Sequence, residues 1–161
     1  MIIKDKTYEG ERALFSSNDL CIENCIFENG ESPLKESKNL NLNNCTFKWK
    51  YPLWYSTNIR VKNSVLEETA RSGIWYTKNI EIVNSNIIAP KTFRRSSEIN
   101  LFNVNISNAL ETMWNCCDIS LMNVKVNGDY FGFGSSNILA NNLEINGNYP
   151  FDGGKNIVVR N

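Results

Sequence analysis

Eight times along these 161 residues the chain repeats one short pattern: asparagine or an acid, an aliphatic, any residue, an aliphatic or alanine, any residue, asparagine. It reads NLNLNN at 39–44, NIRVKN at 58–63, NIEIVN at 79–84 and NIVVRN at 156–161, with variants DLCIEN at 19–24, EINLFN at 98–103, DISLMN at 118–123 and NILANN at 137–142. Successive copies start 20, 19, 21, 19, 20, 19 and 19 residues apart. Self-similarity at such a period is the mark of stacked coils, because one coil cannot bury its own apolar face. The sixth position is asparagine in every copy: Asn24, Asn44, Asn63, Asn84, Asn103, Asn123, Asn142 and Asn161. Asparagine tolerates the left-handed backbone of a sharp turn. Its amide also donates and accepts, so stacked copies can bond in a ladder.

The flanking positions carry the same period. The second holds Leu20, Leu40, Ile59, Ile80, Ile99, Ile119, Ile138 and Ile157, and the ninth holds Phe27, Phe47, Leu66, Ile87, Ile106, Val126 and Ile145. Apolar residues recurring at every second position predict strands with one buried face. Five residues before each repeat a further apolar series runs Leu14, Leu34, Leu53, Ile74, Phe93, Met113, Gly132 and Phe151, predicting a third strand, strand A. The expectation is an all-β, right-handed, single-stranded parallel β-helix of about seven coils of 19–21 residues, with an internal asparagine ladder. A helical solenoid is disfavoured, since valine, isoleucine and asparagine are poor helix formers.

One domain over 1–161 is expected, with 1–18 forming an N-terminal cap and a first partial coil. Residue 161 falls on the asparagine of an eighth coil with no capping segment after it, so the C-terminus is expected to be truncated or open. The 17 basic and 17 acidic residues give no field for nucleic acid or a membrane surface. With no apolar span and no apolar leader, a soluble, cytoplasmic protein is expected. Cys21, Cys25, Cys45, Cys116 and Cys117 are an odd number without a paired motif, and read as reduced, mostly buried residues. Histidine is absent, which removes the commonest general base and metal ligand. Neither metal nor cofactor is expected.

The N-terminal YEGERALF at 8–15, followed by these coils, resembles a bacterial family of unknown function, domain of unknown function 3737. More broadly, the coils resemble the pectin-lyase-like β-helix superfamily. That second resemblance implies that strand A corresponds to the sheet whose outer face holds the saccharide groove in pectate lyases and polygalacturonases. Four residues before each repeat, strand A carries Phe15, Lys35, Trp54, Trp75, Arg94, Trp114, Phe133 and Asp152, followed at the next position by Tyr55, Tyr76, Arg95 and Asn115. Charges at 35, 94 and 152 argue that this register faces water. The stripe of Trp54, Tyr55, Trp75, Tyr76, Arg94, Arg95, Trp114, Asn115 and Phe133 is therefore the candidate ligand face, suited to an acidic polysaccharide. A protein partner or a second copy of the chain, docked on the stripe or on the open end, is the competing occupant, since such residues anchor interfaces. Packing of the indoles inside wide coils is a further alternative. No catalytic residue emerges: Glu111, Asp118, Asp129 and Asp152 are spread over several coils, and no facing carboxylate pair stands out for a hydrolase. A non-catalytic binding module is the first expectation. A lyase or hydrolase of the pectin-lyase-like class and a self-associating structural protein are the alternatives.

Overall fold

A computed structural model describes Met1–Asn161. The chain winds as a parallel β-solenoid whose 13 strands all join one wrapped sheet. The main path runs through β1 (Ile2–Lys4), β3 (Asn18–Glu23), β5 (Lys38–Asn43), β7 (Thr57–Lys62), β9 (Lys78–Ile87), β10 (Ser97–Ile106), β11 (Cys117–Asn127), β12 (Ser136–Asn146) and β13 (Lys155–Arg160). In the first coils a separate short strand follows the corner residue, Asp5 in the first and asparagine in the others: β2 (Thr7–Tyr8), β4 (Ile26–Phe27), β6 (Thr46–Phe47) and β8 (Val65–Leu66). Every pairing is parallel and in the register of the repeat, as in Leu40 opposite Ile59 and Ile99 opposite Ile119. The inward positions converge on one cluster of 35 buried apolar residues. At ~1.5–3 kcal/mol for each large side chain removed from water, this core is the main force holding the stack.

Residues 1–18 contribute β1 and β2, aligned on β3 and β4, so Ile2 lies opposite Cys21 and Thr7 opposite Ile26. Asp5 thereby occupies the ladder position below Asn24 and accepts a hydrogen bond from its amide at 3.2 Å.

Two expectations need correction. Strand A is not a strand. Its left-handed residues alternate, as at Ser32, Leu34 and Glu36, each with φ 59°. Such φ values are unusual for bulky side chains. They are sustained by bonding between coils: the Leu34 amide donates down to the Ala13 carbonyl, and the Glu36 amide donates up to that of Trp54. Only two isolated bridges, Trp75 to Arg94 and Arg94 to Trp114, have strand character here. At Gly132 (φ 77°) a Cβ would lie 2.5 Å from the Phe151 ring, which fills that part of the interior instead.

The asparagine ladder is external rather than internal. The sixth-position asparagines are left-handed, but their side chains line the outside of the corner. The amide of Asn44 reaches Asn24 at 2.8 Å, Asn103 reaches Asn84 at 3.0 Å and Asn142 reaches Asn123 at 2.7 Å. Asn63 departs from the pattern and bonds to Asn43 instead, and Asn161 accepts from the Leu143 backbone. A second external ladder follows the first position of the repeat. Asn39 donates to Asp19, Asn58 to Asn39 and Asn79 to Asn58 at 2.8–3.0 Å. Glu98 interrupts it, and it resumes from Asp118 through Asn137 to Asn156.

The internal ladder is made of hydroxyls and a thiol. Two residues before each of the first seven repeats stand Ser17, Ser37, Ser56, Thr77, Ser96, Cys116 and Ser135. The backbone N–H of Ser17 donates to the Ser37 hydroxyl at 3.1 Å, that of Thr77 to Ser96 at 3.1 Å and that of Cys116 to Ser135 at 3.0 Å. The hydroxyls pass the hydrogen bond on: Ser56 donates to the Leu34 carbonyl at 3.1 Å and Ser135 to that of Met113 at 2.7 Å. Polar backbone at a buried corner is thus satisfied without water.

Candidate functional site

The corner described above decides which side chains of the candidate stripe face outward. Alternation sends Leu34, Leu53, Ile74, Phe93 and Met113 into the core and leaves the next residue on the surface. Trp54, Trp75, Arg94, Trp114 and Phe133 form one half-buried column along the solenoid. Tyr55, Tyr76, Arg95 and Asn115 form an exposed column beside it, each in the left-handed conformation. All nine predicted residues therefore share one face.

The first column is a continuous stack. The rings of Trp54 and Trp75 lie 5.0 Å apart and within 8° of parallel. The Arg94 guanidinium carbon is 4.6 Å from the Trp75 ring centre and 5.3 Å from that of Trp114. Trp114 and Phe133 continue the column at 5.0 Å. Each indole is also pinned at its edge, because its N–H donates to a carbonyl one coil further on. Trp75 reaches Lys91 at 2.8 Å, Trp114 reaches Tyr130 at 2.9 Å, and Trp54 bonds to Ser72. In the second column Tyr55 and Tyr76 stack at 4.7 Å, with the Lys35 ammonium 5.9 Å from the Tyr55 ring centre. Stacking along the solenoid occupies ring faces and leaves the Tyr55 and Tyr76 side chains exposed on this face.

Arg94 is unusual within this column. Its Nε and Nη2 are buried and make no hydrogen bond. Neither it nor Arg95 takes part in any of the four ion pairs, which join Lys4 to Glu23, Lys48 to Glu28, Lys50 to Glu31 and Lys91 to Glu111. Behind the column lies Cys116, whose thiol burial pushes up to about 12, opposed by a hydrogen bond from the Ser96 backbone and by the charge of Arg94. Burial likewise raises Cys45, to about 11, and all five cysteines are free. Raised thiols of this kind are poor nucleophiles.

The acids considered for catalysis hold other posts. Glu111 pairs with Lys91 at 3.3 Å, Asp118 accepts from Asn137 at 3.0 Å and Asp129 accepts from the Asn148 backbone at 2.7 Å. Asp152 sits exposed beyond Phe133, at the far end of the stripe. No three side chains of the histidine, cysteine, aspartate and glutamate types cluster to hold a metal ion. No helix is long and apolar enough to cross a membrane.

Two further concavities follow the amide ladders. One, of about 480 Å³, is bordered by Asn84, Asn103, Asn123 and Asn142 with Asn105 and Lys125; the other, of about 360 Å³, is bordered by Asn39, Asn58, Asn79, Arg60 and Glu81. Sequence reasoning found the residues of these corners but not the grooves, since it placed the amides inside.

The fold and its outward column define a β-solenoid protein with a cation set among stacked rings. The whole chain, residues 1–161, matches the family described as "Protein of unknown function (DUF3737)", and it belongs to that family. No functionally curated protein matches it. Among solved structures it is similar to trypsin-treated R167E QnrB1, a plasmid-mediated fluoroquinolone resistance protein, at 14% identity and a TM-score of 0.42, covering 99% of this chain and 91% of that one. Full-length QnrB1 is similar at 13% identity and a TM-score of 0.38, covering 96% and 94%.

Proposed function

We propose that this protein is a non-catalytic binding module that engages a linear polysaccharide along the Trp54–Phe133 column. The observation that carries this reading is a regular outward row, one group per coil, with Arg94 within it and Arg95 beside it, neither paired with an acid. Spacing set by the strand separation of ~4.8 Å suits a repeating polymer better than a folded surface. The absence of catalysis is inferred from the structural employment of Glu111, Asp118 and Asp129. A finer kinship with pectin-lyase-like β-helices belongs to the same proposal; the parallel coils of 19–21 residues and their left-handed asparagine corners support it. The intracellular assignment likewise remains part of the proposal.

Glycan-array binding of the wild type and of Trp75→Ala tests the reading. Binding to a polysaccharide class that Trp75→Ala weakens at least tenfold is expected. Retention of no glycan, together with concentration-dependent light scattering that Tyr76→Ala abolishes, would replace it with self-association through the same face. Release of unsaturated or reducing ends from a bound polymer would replace it with catalysis.

A further inference from the structure

The indole–guanidinium stack has a property that stacking alone does not require. A tryptophan at position 94 would complete the column from Trp54 to Phe133 with aromatic rings alone. The chain instead places a guanidinium between Trp75 and Trp114, its carbon 4.6 and 5.3 Å from their ring centres, with Nε and Nη2 buried and unpartnered. Attraction to the rings offsets part of the lost hydration, but rings accept no conventional hydrogen bond. Arg95 stands beside it on the exposed column, also without an acid in ion-pair range. Lys35 continues the first column beyond Trp54, and within the two columns the acids, Glu36 and Asp152, lie away from the arginines. A chain with no net charge thus carries an unmatched positive centre midway along its aromatic face.

We infer that Arg94 and Arg95 form the anchoring subsite for a carboxylate of an acidic polysaccharide laid along this face. The inference rests on the reading of the stripe as a polysaccharide face. A carboxylate oxygen can take one charge-assisted hydrogen bond from the nitrogen of Arg94 that is not buried, and the exposed Arg95 offers a whole planar fork beside it. A charge already stripped of water between two rings interacts more strongly with it than a solvated charge does. Arg94 supplies the open nitrogen, Nη1, from within the stack, and Arg95 approaches from the surface. Tyr76 and Asn115 flank Arg95 on neighbouring coils and offer a hydroxyl and an amide to adjacent sugar hydroxyls. Since the guanidinium lies between two indoles, occupancy changes tryptophan emission.

The test titrates polygalacturonate, its fully methyl-esterified form, dextran sulfate and poly-glutamate into wild type, Arg94→Met, Arg95→Ala and Trp75→Ala, reading tryptophan emission and heat. Polygalacturonate is expected to bind at least tenfold more tightly than the ester. Arg94→Met and Arg95→Ala should each remove about tenfold or more of that affinity, the scale of one charge-assisted hydrogen bond. Arg95→Ala leaves the ring stack intact, so it decides the matter if Arg94→Met lowers the melting midpoint. Equal binding of acid and ester, unaffected by either arginine variant but weakened by Trp75→Ala, would overturn the carboxylate subsite and leave the polysaccharide reading standing. Equal or tighter binding of dextran sulfate would overturn the assignment to carboxylate, and preference for poly-glutamate would overturn the assignment to polysaccharide. No binding of any polymer by the wild type would overturn both.

Discussion

The N-terminal and C-terminal coils obey one repeat yet handle the same corner differently. In the first three coils the sheet breaks at the asparagine. Pairing stops at Glu23 opposite Asn43 and restarts at Ile26 opposite Thr46. From β9 onward pairing runs through that corner, as at Val104 opposite Val124 and Val124 opposite Leu143. The seventh position explains the change. Where the residue one coil above is serine or cysteine, its side chain takes the corner N–H: Cys45 donates to the Ser64 hydroxyl at 3.0 Å and Ser64 to that of Ser85 at 3.1 Å. Where it is valine or leucine, no such acceptor exists and the backbone ladder continues. A hydroxyl or a methyl at one buried site therefore selects between two corner geometries. The interiors differ as well. The N-terminal coils stack the rings of Tyr8, Phe27 and Phe47 at 5.4 and 4.9 Å, where the later coils place Ile87, Ile106 and Val126.

The sharpest way to probe this contrast is the core. Phe47→Ala should cost ~3–5 kcal/mol by chemical denaturation, against ~0.5–1.5 for Ile106→Val; a cost below that of Ile106→Val would show that the ring stack contributes nothing special. Next comes one substitution at two ladders. Ser56→Val removes the acceptor for the Ser37 N–H and the donor to the Leu34 carbonyl, at a corner with no strand to fall back on, and should cost ~1–3 kcal/mol. Ser64→Val frees the Cys45 corner N–H to pair along the backbone as the Val104 corner does, and should cost under ~1 kcal/mol while raising strand content by circular dichroism. Equal costs would break the comparison.

Alkaline pH separates the thiols. The folded-state values of Cys45 and Cys116 stand above the reference of 9.0, near 11 and 12. The protonated thiol is thus favoured by folding. That contribution is complete below pH 9 and is lost as pH rises from there through 11 and 12. The melting midpoint should fall across this window, and Cys116→Ser, which keeps the corner acceptor, should flatten the fall while leaving the midpoint at pH 7 within a few degrees. The smallest effect belongs to Glu98→Asn, which supplies the amide missing above Asn79 in the first-position ladder and should stabilise by ~0.5 kcal/mol. No gain would mean that exposed rungs contribute only local order.

Periodicity made the solenoid legible because apolar alternation is imposed by the core and survives in composition. The outward stripe was legible for the same reason: charges at positions 35, 94 and 152 could not point inward. Three things were not. Alternating left-handed residues at Leu34, Leu53, Phe93 and Met113 look like a strand, since both geometries send every second side chain inward. The ladder of Ser37, Ser56, Thr77 and Ser96 left no mark in the apolar pattern, because a hydroxyl that spends itself on neighbouring backbone carries no apolar signal. Asp5 was invisible as a rung because the pattern around it is incomplete, and only its alignment beneath Asn24 exposes it.

The external ladders run in one direction. In each rung the upper amide donates and the lower oxygen accepts, and in the first-position ladder both side chains that begin a run, at 19 and 118, are aspartate. A carboxylate can receive but not give, so it can found a run and cannot extend one. The chain is punctuated accordingly, with Asp118 opening a fresh clause after Glu98 closes the last. Anyone wishing to excise, duplicate or transplant whole turns of this protein has a marked seam immediately before that residue.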